Sequence, residues 1–431
     1  DVYVEGMDDP VIEGLAYTET SDYLTVPAGD YNFQVRAAGA DPSEDPVYET
    51  GDLTLPEEAV VTAVAAGLLA GGEEDGFRVI PLIENFEDPG AGNAAVRILH
   101  AGSDAPEVGI DVGNDDPAAP ELDGVARFAE SGEAGVALPA DTALQVGIAA
   151  GGATVTAFTT PELPEGANLF VIATGLLGNL AREDNGFGLL AVGPDGTIGL
   201  IRQNPVVYAM HGSWNAGTVD ICSGTTELFG DVGFDAFAPI RVPPGDYPLS
   251  VYAGSAEDCA GPRPVYTTPE DVTLEAGEQY LAIAAGEVGG DPAFQFILAQ
   301  EQFALDGNGG YVRAIHAAGT PGVAAVEVGL IDGSDEIVDE DSVVIDGFVF
   351  GDESDELPLP AGSYPLGIGA DVMGMANYPN GTVVQATLDV ADGTRAWAIA
   401  SGLLGAGQPG NAITVNLIDT TTSPWTCVTC D

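Results

Sequence analysis

The chain has 431 residues, 45% of them hydrophobic, enough to build real cores in several domains and too many for a disordered polymer. Its 68 acidic residues face only 10 basic ones, all arginine, for a formal net charge of −58. That surface repels nucleic acid and anionic membrane, because binding phosphate needs the opposite sign, and it repels itself at low ionic strength.

In chain order the sequence reads as strands and turns. "DVYVEG" at the start reads as a short β-strand. "LTVPAGDYNFQVRAAG" (24–39) places Pro and Gly before an aromatic residue, which is tight-turn chemistry between two strands. "LPEEAVVTAVAAGLLAG" (55–71) follows with a nearly continuous apolar run ending in glycine, the pattern of a central strand covered on both faces. Its apolar core, 59–72, is too short to span a membrane as a helix.

These blocks return. The turn block recurs at 136–152, 240–255 and 357–371, and the apolar block at 163–179, 274–290 and 390–407. A further block, "AAVRILHAGSDAPEVGIDVGN" (94–114), recurs at 205–224 and 310–333. The turn-block prolines Pro27, Pro139, Pro243 and Pro360 stand about 110 residues apart, the size of one small β domain. The spacing predicts an all-β chain of four tandem immunoglobulin-like antiparallel β-sandwiches in a rod. Their boundaries are 1–92, 93–204, 205–309 and 310–431.

The stretch "VRILHAGSDAPEVGIDVGN", together with "DVYVEG" and the "LPAGDY"-type turns, resembles the secreted bacterial and archaeal "domain of unknown function 4397" family. The resemblance covers nearly the whole chain, four times over, and is weakest where "HGSWNAG" replaces the "HAxxDAP" pattern. It implies a β-sandwich module of exported and cell-surface proteins with no assigned catalytic role.

The residues themselves offer little catalytic chemistry. The three histidines, His100, His211 and His316, share one repeat position, and each is expected to hydrogen-bond at a strand end and fix the adjacent loop. Near-adjacent His100, Ser103 and Asp104 do not build a triad, and there is no G-x-S-x-G elbow, P-loop or H-E-x-x-H. No catalytic residue is assigned, and an enzyme is the least favoured class. "DGSDEIVDEDS", with Asp332, Asp335, Asp339 and Asp341, is the best Ca²⁺ candidate, since Ca²⁺ takes six to eight oxygens; it lacks the spacing of an EF-hand. A solvated acidic loop is the competing reading, and no cofactor is required. "NGT" at Asn380 is a lone sequon, and Trp214, Trp397 and Trp425 fall in different blocks and form no sugar-binding platform. Cys222 is expected to pair with Cys259 within one repeat, and Cys427–Cys430 is a candidate terminal loop pair, both pointing to an oxidising, extracellular setting.

Aligned on its neighbours, "DVYVEG" is the second strand of a repeat, as in "IDVGN" (110–114) and "VDICSG" (219–224). Repeat one then lacks the first strand and its histidine. The missing strand predicts an open assembly edge at Asp1, Val2, Tyr3, Val4 and Glu5, filled by a neighbouring subunit or by a segment upstream. The expected function is a non-catalytic, extracellular or cell-surface filament subunit that partners itself head to tail. The alternative is an adhesin that recognises a glycan or a matrix protein. Neither nucleic acid nor a membrane span is expected.

Overall fold

The computed structural model describes residues 1–41, 43–253, 259, 263–307, 309–319, 325–332, 336–370, 380–403 and 413–430. Nearly every element is a strand. Repeat one contributes β1 (Val2–Val4), β2 (Gly29–Val35), β3 (Tyr48–Leu55), β4 (Val61–Ala66) and β5 (Arg78–Ile83). Repeat two begins with β6 (Asn93–His100), β7 (Val108–Val112), β8 (Leu122–Val125), β9 (Val136–Pro139) and β10 (Gln145–Ala150). It ends with β11 (Ala153–Thr159), β12 (Asn168–Thr174), β13 (Gly188–Gly193) and β14 (Gly196–Ile201).

Repeat three runs through β15 (Val206–His211), β16 (Val219–Ser223), β17 (Thr226–Val232), β18 (Phe237–Arg241) and β19 (Gly245–Tyr247). It closes with β20 (Leu249–Ala253), β21 (Tyr266–Thr267), β22 (Val272–Leu274), β23 (Gln279–Ala285) and β24 (Gln295–Gln300). Repeat four opens with β25 (Gly310–His316), β26 (Val326–Leu330), β27 (Glu336–Ile337), β28 (Val343–Phe348) and β29 (Leu357–Leu359). Then come β30 (Gly362–Ala370), β31 (Asn380–Val390), β32 (Arg395–Ser401), β33 (Thr414–Asp419) and β34 (Thr426–Cys427).

Each complete repeat is a sandwich of two sheets. In repeat two the first sheet is ordered β14-β13-β12-β6-β9 and the second β11-β10-β7-β8. The strand that opens the repeat therefore lies in one sheet and the next strand in the other. The opening strand pairs in parallel with the apolar-block strand: β6 with β12, β15 with β23 and β25 with β32. Two sequence-level features now have physical causes. The aromatic of "PAGDY" donates its hydroxyl proton to the carbonyl of the turn proline, Tyr31 to Pro27 (2.8 Å), Tyr247 to Pro243 (2.6 Å) and Tyr364 to Pro360 (2.7 Å). The glycine ending the apolar block (Gly67, Gly175, Gly286) has positive φ, and a Cβ there would overlap the carbonyl oxygen of Gly76, Gly186 or Ala293 on the adjoining loop.

The chain divides into two compact units, Asp1–Asn204 and Pro205–Asp431, each holding two repeats. Within a unit the repeats are fused back to back through their first sheets. In the second unit Tyr208, Met210, Leu281 and Ile283 of repeat three pack against Ile315, Trp397, Ile399 and Ile418 of repeat four. In the first unit Ala66 and Leu82 pack against Leu99, Phe170, Ile172 and Leu190. An opening strand thus lies between its own core and the fused layer, which is why β6 is buried along nearly its whole length on both faces. Even Arg97, in the middle of β6, is only 1% exposed. Its guanidinium donates to the Ile83 carbonyl and to Glu130, and it lies over the rings of Phe86 and Phe170.

Candidate functional site

The apolar-block strand of repeats two to four has a strand on each edge: an antiparallel one following it and the parallel opening strand before it. In repeat one, β4 pairs with β5 alone, and no other described strand pairs with its second edge. The place that β6, β15 and β25 fill elsewhere is open.

The surroundings show the consequence. In repeat two the residues before the turn proline form β9, which pairs with β6 and buries Leu138 to 9% exposure. Their counterparts in repeat one, Leu24 and Val26, lie outside any strand and are 49% and 38% exposed. Val60 just before β4 and Leu68 and Leu69 just beyond it are exposed as well. Among the described residues, ten of the eighteen large apolar side chains that face solvent belong to residues 1–92, and two to repeat two. Single exposed apolar residues are ordinary, but a group bordering an unpaired strand edge marks a candidate binding surface.

The open edge is not where the sequence reading put it. Asp1–Glu5 was expected to be the bare edge, yet β1 is engaged on both sides. Val2, Tyr3 and Val4 pair with Val35, Gln34 and Phe33 of β2. On the other edge the Val2 amide donates to the Ile12 carbonyl (2.8 Å), and the Val11 amide donates back to Val2 (2.7 Å). The Glu5 amide donates to Asn32, and the Asp1 carboxylate accepts from the Gly14 and Gly39 amides. The reason is topological: the opening strand and the one after it are neighbours in sequence but belong to opposite sheets, so an absent opening strand bares β4.

The histidines stand at the ends of β6, β15 and β25. His100 Nε2–H donates to the Pro106 carbonyl and His211 Nε2–H to the Gly217 carbonyl, both at 2.8 Å, closing the loop six residues on. His211 Nδ1 accepts from the Ser213 amide, which fixes the neutral tautomer. The residue six beyond His316 lies outside the described residues; its ring packs beside Phe348 and Phe350. Burial lowers the pKa of all three rings, that of His316 to about 4. Asp104 does not turn to His100. Its carboxylate accepts from the Leu177 and Gly178 amides (2.7 and 2.8 Å), and Asn215, at the same repeat position, holds Val288.

Of the acidic loop, Asp335 lies outside the described residues. Asp339 caps a short turn of 3₁₀ helix, Glu340–Ser342, accepting from the Ser342 amide and hydroxyl. Asp332 and Asp341 join no group of three or more potential ligands among the described residues. Cys222 is bonded to Cys259 and Cys427 to Cys430, with Cα–Cα distances of 5.7 and 5.5 Å. Trp397 and Trp425 pack in the fused layer, and Trp425 stacks on Tyr208 at 4.1 Å, so the C-terminal tail is held within its own unit. Among the described residues no helix is long and apolar enough to cross a membrane.

No curated protein matches the chain. A family model described as "Domain of unknown function (DUF4397)" matches residues 1–111 and 205–329. Each match runs beyond its repeat into the first two strands of the next, β6 and β7 or β25 and β26. With more than half its length so matched, the chain belongs to the DUF4397 family.

Proposed function

We propose that this chain is a non-catalytic structural protein of the cell exterior whose first sandwich is completed by a β-strand from a neighbouring polypeptide, joining subunits head to tail into a filament. The observation that carries this reading is the unpaired edge of β4, bordered by exposed apolar side chains, among them Val26, whose counterparts Leu138 and Val242 are buried in repeats two and three. The other repeats define the occupant. It runs parallel to β4 and antiparallel to residues 24–27, and it is apolar on both faces, since one face meets its own core and the other the fused layer. Backbone hydrogen bonds would supply affinity and the alternate side chains register. A contact that joins unlike surfaces and does not close into a ring propagates as a fibre.

Other features fit the exterior setting. Both cysteine pairs are oxidised, and the surface is acidic and free of lysine, which keeps such units soluble in salt. His100 and His211, the residue type most used in acid–base catalysis, tie loops in separate repeats.

The test is sedimentation and electron microscopy of purified residues 1–431, with and without a synthetic peptide of residues 93–104. The expected result is concentration-dependent oligomers or fibres that the peptide disperses by capping β4. A chain that stays monomeric at high concentration and does not bind the peptide overturns the proposal. A monomer that does bind it keeps the strand slot but removes the polymer, assigning the slot to a strand of the same polypeptide.

A further inference from the structure

A row of three paired residues crosses the second sheet of every repeat at the same place. It is Val2–Val35–Tyr48 in repeat one, Val112–Val146–Phe158 in repeat two and Ile221–Val251–Tyr266 in repeat three. In repeat four the row is Val328–Ile368–Val384. From the first sheet comes the residue immediately before the strand that follows the apolar block: Phe77, Phe187, Phe294 and Ile413. In three repeats these positions form one aromatic pair inside the sandwich. The ring centroids are 5.2 Å apart for Tyr48 and Phe77, 6.0 Å for Phe158 and Phe187, and 5.8 Å for Tyr266 and Phe294.

Repeat four has neither ring, and there the space between the sheets holds a cavity of about 150 Å³. Its lining includes Ile315, Phe348, Ile368, Ala386, Leu388 and Ile413. Interiors are otherwise close-packed, and an apolar cavity of roughly this volume stays dry and takes up a benzene-sized molecule. His316 also lines it, 5% exposed, with no hydrogen-bond partner at Nδ1 among the described residues. Burial holds this imidazole neutral at physiological pH, so the cavity offers no charge to attract an ion.

We propose that the interior of the fourth sandwich is a binding site for a small uncharged aromatic molecule, whose ring occupies the space that the aromatic pair fills in the other three repeats. This site is independent of the β4 edge and stands whether or not the chain polymerises. The row fixes the geometry: Val384 pairs with cavity-lining Ile368, so a ring added at Val384 enters the cavity and restores half of the missing pair.

The test is ¹⁹F NMR titration of the full chain with fluorobenzene, alongside Val384→Phe. Saturable binding is expected to the unaltered chain, weakened at least tenfold in Val384→Phe, whose melting temperature rises as the cavity fills. Should Val384→Phe fail to fold, Ala386→Leu blocks the same space from the next inward position and is expected to weaken binding likewise. Absence of saturable binding, or affinity within twofold of the unaltered chain in a folded variant, overturns the site.

Discussion

Repeats one and two carry the same turn and apolar blocks, yet one is a closed sandwich and the other is not. Val26 and Leu138 both precede the turn proline, but Val26 is 38% exposed and Leu138 only 9%. Tyr48–Phe77 and Phe158–Phe187 are the same aromatic pair, but Phe158 is fully buried whereas both members of the first pair are half-buried. What separates the repeats is β6, which pairs with two strands in its own sheet and contributes one face to the core and the other to the layer shared with repeat one. One strand closes two interfaces at once, so a repeat without it keeps its turns and hairpins and loses its centre.

That contrast can be broken by mutation. Phe158→Ala should destabilise the first unit by about 4 kcal/mol through lost burial and the cavity left behind, while Tyr48→Ala should cost only about 1 kcal/mol. Chemical denaturation of the full chain, followed by near-UV circular dichroism, checks the difference; equal effects would mean that repeat one has a closed core after all. The two units differ similarly in chemistry, since every cysteine lies in the second. Reducing Cys222–Cys259, which closes a loop of sequence separation 37, should lower the stability of the second unit by about 3 kcal/mol and leave the first unchanged. Limited proteolysis with and without reductant would show it.

Acid separates the repeats as well, because repeat one has no histidine. His316 is held to about 4 from an ordinary 6.5 by burial, so it stays neutral in the folded chain while the unfolded chain takes up a proton. The unfolded state then binds more protons between those two values. The associated stability is complete above pH 6.5 and is lost as the pH falls toward 4, by up to about 3 kcal/mol. His100 and His211 shift in the same direction. Between pH 6.5 and 4 the denaturation midpoint of the unaltered chain should fall relative to that of His316→Phe, the variant having the flatter profile. A smaller effect is expected from Tyr247→Phe, which removes the hydroxyl bond to Pro243 and should cost about 1 kcal/mol.

Much of this was legible in the sequence, because tandem blocks repeat their turn chemistry and their apolar runs. The apolar run in β12 announced a strand covered on both faces, and the shared histidine position announced a loop tie, seen at His100 and His211. The location of the open edge was not legible. The opening strand bonds not to its successor but to a strand some 70 residues further on, Val96 opposite Leu169 for example, and nothing local in "AAVRILH" names that partner. The fused layer was equally hidden: Arg97 looks like a surface charge in the sequence, and only the packing of two repeats makes it a buried one. The empty aromatic positions of repeat four needed the registers, since "VVQATL" and "TAFTTP" align only when their pairing partners are known.

Hydrogen exchange across the two apolar-block strands tests the central claim most directly. The amides of β12, bonded on both edges, should exchange slowly, and those of Val61–Ala66 that do not face β5 should exchange orders of magnitude faster. Adding the peptide of residues 93–104 should slow the β4 amides toward the β12 rates and leave β12 itself unchanged. β4 amides already as protected as those of β12 in the isolated monomer, or indifferent to the peptide, would contradict the account.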